Sequence, residues 1–265
     1  MKKSVSALGV MGVFLIATWG QQISGQSTTS AQANAQNAND VCRVYFTKVK
    51  PGSEAQWEQA RIRHVAFHKQ HNDTWTWEAS QVVTGDDMGE YVVSTCGHSW
   101  KDFDAWEKKM GKEDAADAMA GMGPLEQSNT NSFYTLRADL SRAPANGPSA
   151  PMSSVTVFRL RPGSVDNFIG AVKKINAALE KQPSLPRTSF WLQLSNGGEM
   201  PKMVMIDERQ GWADYAPREK TLRDAVTEAY GKEEADATFK TISDSEAHVY
   251  TESSVARPDL SYSPK

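Results

Sequence analysis

Val49-Lys50-Pro51-Gly52-Ser53 comes back much later in the chain as Leu160-Arg161-Pro162-Gly163-Ser164. Each copy follows an alternating apolar run and precedes a helical pattern, so each reads as strand, tight turn and helix start. Three more matches keep the same order. Ser99-Trp100-Lys101-Asp102-Phe103 pairs with Gly211-Trp212-Ala213-Asp214-Tyr215, Gly111-Lys112-Glu113-Asp114 with Gly231-Lys232-Glu233-Glu234, and Arg137-Ala138-Asp139-Leu140-Ser141 with Arg257-Pro258-Asp259-Leu260-Ser261. Ordered matches at nearly constant offsets identify a tandem duplication, with halves over 41–141 and 153–261 and a Pro/Ala/Gly-rich linker over 142–152.

The first half gives the element order. Val41 to Val49 is rich in β-formers, and Ser53 after the Pro-Gly turn is the expected N-cap of a helix running to about His71. Thr74 to Thr84 alternates, Gly85 to Gly89 turns the chain, and Glu90 to Cys96 returns as a strand. Ser99, with Asp102 three residues on, opens a second helix. A short helix over Ala115 to Met122 and a strand over Ser132 to Ala138 complete a β-α-β-β-α-β unit, so the fold class is α+β.

That order, repeated, resembles the dimeric α+β barrel superfamily, in which two ferredoxin-like units place antiparallel sheets face to face. The resemblance covers Val41 to about Ser261 and implies an intrachain pseudo-dimeric barrel, with one chain supplying both units. Relatives include haem-degrading and quinone-forming monooxygenases, chlorite dismutases, dye-decolourising peroxidases, muconolactone isomerases and stress proteins without assigned chemistry. It implies a site between a sheet and its helices. The topology also bears on the two cysteines. In a split β-α-β unit the first and third strands are antiparallel neighbours, which sets Cys42 beside Cys96 and predicts a disulfide.

Lys2 and Lys3 precede the apolar run Val5 to Trp19, which is short for a bilayer span and lacks a basic flank after it. It reads as a signal peptide over 1–25, with an uncleaved N-terminal anchor as the alternative, followed by a Gln/Ser/Thr/Ala/Asn-rich disordered leader over 26–40, so the chain is expected to be exported, with no stable membrane span after signal removal. The formal net charge of −3 becomes more negative once Lys2 and Lys3 are gone. With no basic stripe, a nucleic-acid partner is excluded.

Chemistry is hinted at in one stretch, Ser53 to His71, which holds three of the chain's five histidines. At helical spacing Trp57, Arg61, His64, His68 and His71 share a side. Aligning the Pro-Gly turns sets Trp57 on Phe168, Arg61 on Val172, His64 on Ile175 and His68 on Leu179. The second-half stripe is apolar, as a packed helix requires, whereas the first carries a guanidinium and two imidazoles that need partners. A competing stripe of Ala55, Ile62, Val65 and Ala66 would instead leave the histidines in solvent.

If the polar stripe faces inward, three roles compete. His64 and His68 have the i, i+4 spacing of metal ligands, with Asp73 or Glu78 to complete a set, but no His-Glu-x-x-His pattern occurs and no metal ligand is assigned. Either imidazole suits acid/base work on an aromatic substrate. A histidine could also ligate haem, noncovalently, since Cys-x-x-Cys-His is absent. Noncovalent haem and a divalent metal both stay open and neither is favoured. Trp57, Trp75, Trp77, Trp100 and Trp106 crowd the first half and suit core packing or the walls of a pocket. The expectation is a small apolar or aromatic ligand, with Trp57, Arg61, Trp77 and His98 as binding residues and His64 and His68 as catalytic ones. The chemistry would be monooxygenase-like or isomerase-like, and the rival is a binding or structural module without turnover.

Overall fold

The computed structural model describes residues 40–142, 150–182 and 189–264. The expected signal peptide, the leader up to residue 39 and the linker residues 143–149 lie outside the described residues.

Strands β1 (Val41–Val49), β2 (Glu78–Val82), β3 (Tyr91–His98) and β4 (Glu126–Leu136) come from the first half, and β5 (Met152–Leu160), β6 (Ser189–Asn196), β7 (Lys202–Arg209) and β8 (Glu246–Ala256) from the second. They close into one antiparallel barrel in the order β1-β3-β2-β8-β5-β7-β6-β4. The seams are β2 on β8, where Gln81 faces Val255, and β4 on β6, where Thr135 faces Gln193. Closure leaves no free strand edge.

Helix α1 (Glu54–Gln70) follows β1, and α2 (Trp100–Trp106), a π-helical turn over Glu107–Gly111 and α3 (Lys112–Gly121) lie between β3 and β4. In the second half α4 (Val165–Glu180) follows β5, and α5 (Leu222–Tyr230) and α6 (Lys232–Ser245) precede β8. Strand alternation divides the side chains between two layers. Cys42, Val44, Tyr134, Val157, Leu194 and Val204 form a barrel-interior cluster drawn from both halves, while Val41 and Val49 face outward to the helices with Trp57, Trp77, Phe103 and Trp106.

Local chemistry accounts for most element ends. The Ser99–Asp102 capping box forms as the sequence predicts. Ser53 does stand at the N-cap of α1 but makes no side-chain cap; Glu54 Oε1 instead accepts from the Gly52 amide at 3.2 Å. Gly52 and Gly163 adopt φ of +82° and +81°, the left-handed conformation that gives both Pro-Gly turns their glycine. One expectation fails: Trp100 opens a helix, but Trp212 opens a 3-10 turn (Trp212–Tyr215), and α5 starts only after Thr221, which carries its own capping box.

Cys42 and Cys96 are disulfide-bonded across β1 and β3, beside a bulge in the pairing between Val41 and Arg43. The tail of each half also crosses to the other. Leu140, fully buried, packs with Phe158, Phe168 and Trp191 of the second half, while Leu260 and Tyr262 pack in the first-half core. Both tails use the same bonds: Arg137 grips Asp139 as Arg257 grips Asp259, and Ser141 and Ser261 each donate back to the arginine carbonyl four residues earlier.

Candidate functional site

Helix α1 is rolled so that Trp57, Ala60, Arg61, His64 and His68 are buried while Ile62 is 40% exposed. The competing stripe therefore faces out: Ala55 and Ala66 are exposed and Val65 is only partly covered. At the matching positions α4 buries Phe168, Val172 and Leu179. The polar groups of α1 find partners on the following loop, on α3 and on the second-half tail.

His68 is set by Asp73. Its Nδ1 lies 2.9 Å from Asp73 Oδ2, which also accepts from Trp77 Nε1 at 2.9 Å, while Oδ1 accepts from the Trp75 amide at 3.1 Å and from Trp106 Nε1 at 3.3 Å. Burial pushes this carboxyl up, but the bonds from His68, Trp77 and the Trp75 amide together hold it below the ordinary carboxylate range. A carboxylate so held accepts a proton donor from His68, placing the ring proton on Nδ1 and leaving Nε2 as a lone pair. Burial holds the His68 imidazole below its usual pKa, against the upward pull of Asp73. The ring packs beside Trp77 and Tyr262, whose hydroxyl donates to the Asp73 carbonyl at 2.8 Å.

His64 repeats this arrangement one turn earlier. Its Nδ1 lies 2.7 Å from Asp117 Oδ2, and its Nε2 is 3.3 Å from Asp114 Oδ1. His68 Nε2 is 3.5 Å from the same Asp114 oxygen. Two imidazoles, each backed by a carboxylate on Nδ1, thus turn Nε2 toward one carboxylate oxygen on α3. Asp114 and Asp117 follow directly on the π-helical turn, a local irregularity of the kind found often at functional sites. Asp117 is half-exposed, so the Nδ1 side of His64 is the side nearest solvent.

Arg61 completes the buried set. Its Nε donates to the Leu260 carbonyl at 3.1 Å, and its Nη2 is buried with no hydrogen-bond partner. Burial pulls the guanidinium down to about 10, with the Asp114 carboxylate acting the other way. Tyr45, on the sheet beneath, has its hydroxyl pushed up to about 12, first by burial, with Arg43, Asp114, Glu107 and Arg61 all close enough to act on it.

The remaining expected residues lie around this centre rather than in it. Trp57 packs against Tyr91 with the rings tilted by 30° and donates to Glu126 at 3.0 Å. Trp77 acts on His68 through Asp73. His98 stacks on Trp75 with ring centres 3.8 Å apart and bonds Thr95, and burial lowers its pKa. His71 is exposed and bonded to the Phe67 carbonyl. Neither residue expected to complete a metal set does so: Asp73 is engaged at Nδ1 of His68, and Glu78 is exposed on β2. The third group is Asp114, which sequence reasoning missed together with Asp117 and Tyr45. The signal was present, since Asp117 stands opposite Ala237 once Gly111 is aligned with Gly231.

Haem does not fit these residues. The Nε2 side of both rings faces Asp114, and the flanks of His68 are filled by Trp77 and Tyr262, so neither His64 nor His68 offers a porphyrin an open face.

No protein-family model and no curated protein matches the sequence. Solved structures do match in fold. A provisionally assigned monooxygenase from Fusobacterium nucleatum subsp. nucleatum ATCC 25586 superposes with a TM-score of 0.56 at 12% identity, over 83% of this chain and 93% of that one. An anthrone oxidase-like protein gives 0.52 at 12% identity, over 82% and 91%, and a provisionally assigned monooxygenase from Lactobacillus acidophilus NCFM gives 0.51 at 9%, over 85% and 97%. The fold is that of the α+β barrel proteins. At such identities the likeness carries the fold and not the chemistry.

Proposed function

We propose that this chain is an exported barrel of two duplicated halves that acts on a small, largely apolar or aromatic molecule at the His64–His68–Asp114 centre, with monooxygenase-like or isomerase-like chemistry. One observation carries the reading: two buried imidazoles, each oriented by a carboxylate, converge on one point in the half whose counterpart packs hydrocarbon there. The fold's likeness to monooxygenase-named and anthrone oxidase-like barrels agrees with it. In this reading Nε2 of His64 takes a proton from the substrate and returns it to another substrate atom or to water, Asp117 keeps the Nδ1 proton and orients the ring, and the unpaired Nη2 of Arg61 steadies the oxyanion that forms. His68, held by Asp73, and Trp77 fix the floor of the site, while Trp57 and His98 support the surrounding aromatic layer. Among the described residues no helix is long and apolar enough to cross a membrane, and the disulfide suits an oxidising compartment.

The test is an aromatic-fragment screen of the mature protein by NMR, with oxygen uptake and product analysis on the compounds that bind. Binders should shift signals of α1 and α3, and His64→Gln should abolish turnover while leaving the melting temperature within a few degrees. Absence of any binder at α1 would sink the reading. A second reading, a module without turnover, is favoured by one fact: the imidazoles already have internal carboxylate partners, and the surface crevice lined by Lys220, Asp224 and Glu228 lies in the other half. It predicts that His64→Gln costs stability and binding equally.

A further inference from the structure

With Nδ1 of each ring donating to its own carboxylate, three acceptor atoms meet at the centre. Asp73 and Asp117 occupy Nδ1 of His68 and His64, so a neutral ring at each position presents a lone pair on Nε2. Both lone pairs face Asp114 Oδ1, at 3.5 and 3.3 Å. That oxygen is buried and has no hydrogen-bond partner, so neither contact has the alignment of an Nε2–H bond, as imidazolium rings paired with Asp114 would show. An arrangement of converging lone pairs is costly unless something positive sits between them.

We propose that His64 Nε2, His68 Nε2 and Asp114 Oδ1 bind one divalent first-row transition-metal ion. These atoms lie within 4.8 Å of one another. Metal bonds of about 2.1 Å at tetrahedral or octahedral angles would separate neighbouring ligand atoms by about 3.0–3.4 Å, close to the spacing between each Nε2 and the Asp114 oxygen. Two imidazoles and one carboxylate make a borderline set that suits iron(II), manganese(II), cobalt(II) or zinc(II) and leaves positions for water or a substrate oxygen. A carboxylate on the far nitrogen of each ring is the usual support for a metal-bound histidine, fixing its tautomer and raising its basicity. The charge agrees as well: three carboxylates, Asp73, Asp114 and Asp117, contact the two rings, the Arg61 guanidinium acts on Asp114, and a dication balances the excess. The second half shows the same ground without a site, with Ile175 and Leu179 in place of the imidazoles and Glu234 turned to Lys174. The proposal rests on the choice of site made above and not on any turnover there, and it replaces the base role of His64, because a ring nitrogen bound to a metal ion takes no proton.

The experiment titrates chelator-stripped, disulfide-intact mature protein with Zn2+ and with Co2+, followed by calorimetry and by the visible Co2+ spectrum. One equivalent should bind, with a d–d band of a low-coordinate N/O site and a raised melting temperature. Asp114→Asn, which keeps shape on a partly exposed side chain, should weaken binding about 100-fold or more, and Asp73→Asn about 10–100-fold through loss of support for His68. Glu113→Gln, on the same helix turn and exposed, should leave binding unchanged. Should Asp114→Asn fail to fold, 15N spectra of the unsubstituted protein answer instead, since Nε2 of both rings must shift together at one equivalent of Zn2+. Weak or multiple binding, binding indifferent to Asp114→Asn, or Nε2 signals that ignore the ion would overturn the proposal and leave the acid/base reading standing. Failure of the fragment screen would remove that reading and leave the ion in place.

Discussion

Asp73→Asn is the substitution whose consequence follows most directly from the geometry. The side chain is 2% exposed, and four donors converge on its two oxygens. An amide keeps the shape but presents N–H groups to one pair of those donors. If its nitrogen takes the Oδ2 position, Trp77 Nε1 loses its acceptor and His68 must move its proton from Nδ1 to Nε2. With buried donors each costing about 1–3 kcal/mol when unmet, and His68 able to adapt, the loss should be about 2–4 kcal/mol. That is a large part of the roughly 5–15 kcal/mol that holds a domain folded. Guanidinium unfolding at pH 7 reads the loss, and long-range 1H–15N spectra read the tautomer. The pH dependence has a definite sign. A carboxyl held below its unfolded value stabilises above that value, about pH 4, and loses the contribution as pH falls through its folded pKa. His68, lowered by burial, likewise contributes above about pH 6.5 and loses that contribution on acidification. The stability gap between the two proteins should therefore narrow as pH falls below about 4. A loss under about 0.5 kcal/mol at pH 7, or an unmoved His68 proton, would refute the reasoning.

Other expectations can be checked on the same material. Replacing Cys42 and Cys96 by serine opens a 54-residue loop and should cost about 4 kcal/mol at most, read by denaturant unfolding with and without reductant. Leu260→Ala removes a fully buried side chain of the second-half tail from the first-half core and should cost about 2–5 kcal/mol, with α1 losing hydrogen-exchange protection before α4. Glu252, within β8 and near Asp87 and Glu90, has its carboxyl pushed up to about 7 by burial and then by those neighbours. A raised carboxyl weakens the fold as it ionises, between about pH 4.5 and 7, so Glu252→Gln should stabilise by about 1 kcal/mol at pH 8, allowing for solvent screening, and by nothing at pH 4.

Much of the architecture could be read from repeated turn chemistry. The Pro-Gly pairs, the alternating runs beside them and Ser99 with Asp102 are local signals, and local signals determine where elements start. The roll of α1 was legible only by comparison, because its own sequence carries two rival stripes; the apolar partner helix showed which face meets the sheet. Trp212 misled for the opposite reason: its neighbours resemble those of Trp100, but the longer chain between Trp212 and Gly231 lets a 3-10 turn and loop form before α5. Asp114 and Asp117 went unseen because their short helix is rich in small and acidic residues and has no buried member, so nothing in its pattern marks a face. Leu260 and Tyr262 went unseen because the contact that places them crosses from one half to the other, and no periodicity reports such a crossing.

The central claim is that His64, His68 and Asp114 present their lone pairs to one shared point. Anomalous diffraction from crystals grown with Zn2+ or Mn2+ tests it without a substrate. The account predicts a single strong peak about 2.0–2.2 Å from His64 Nε2, His68 Nε2 and an Asp114 oxygen, with Asp117 and Asp73 still on the Nδ1 atoms. No peak there, with Asp114 accepting Nε2–H bonds from two charged rings, would contradict it.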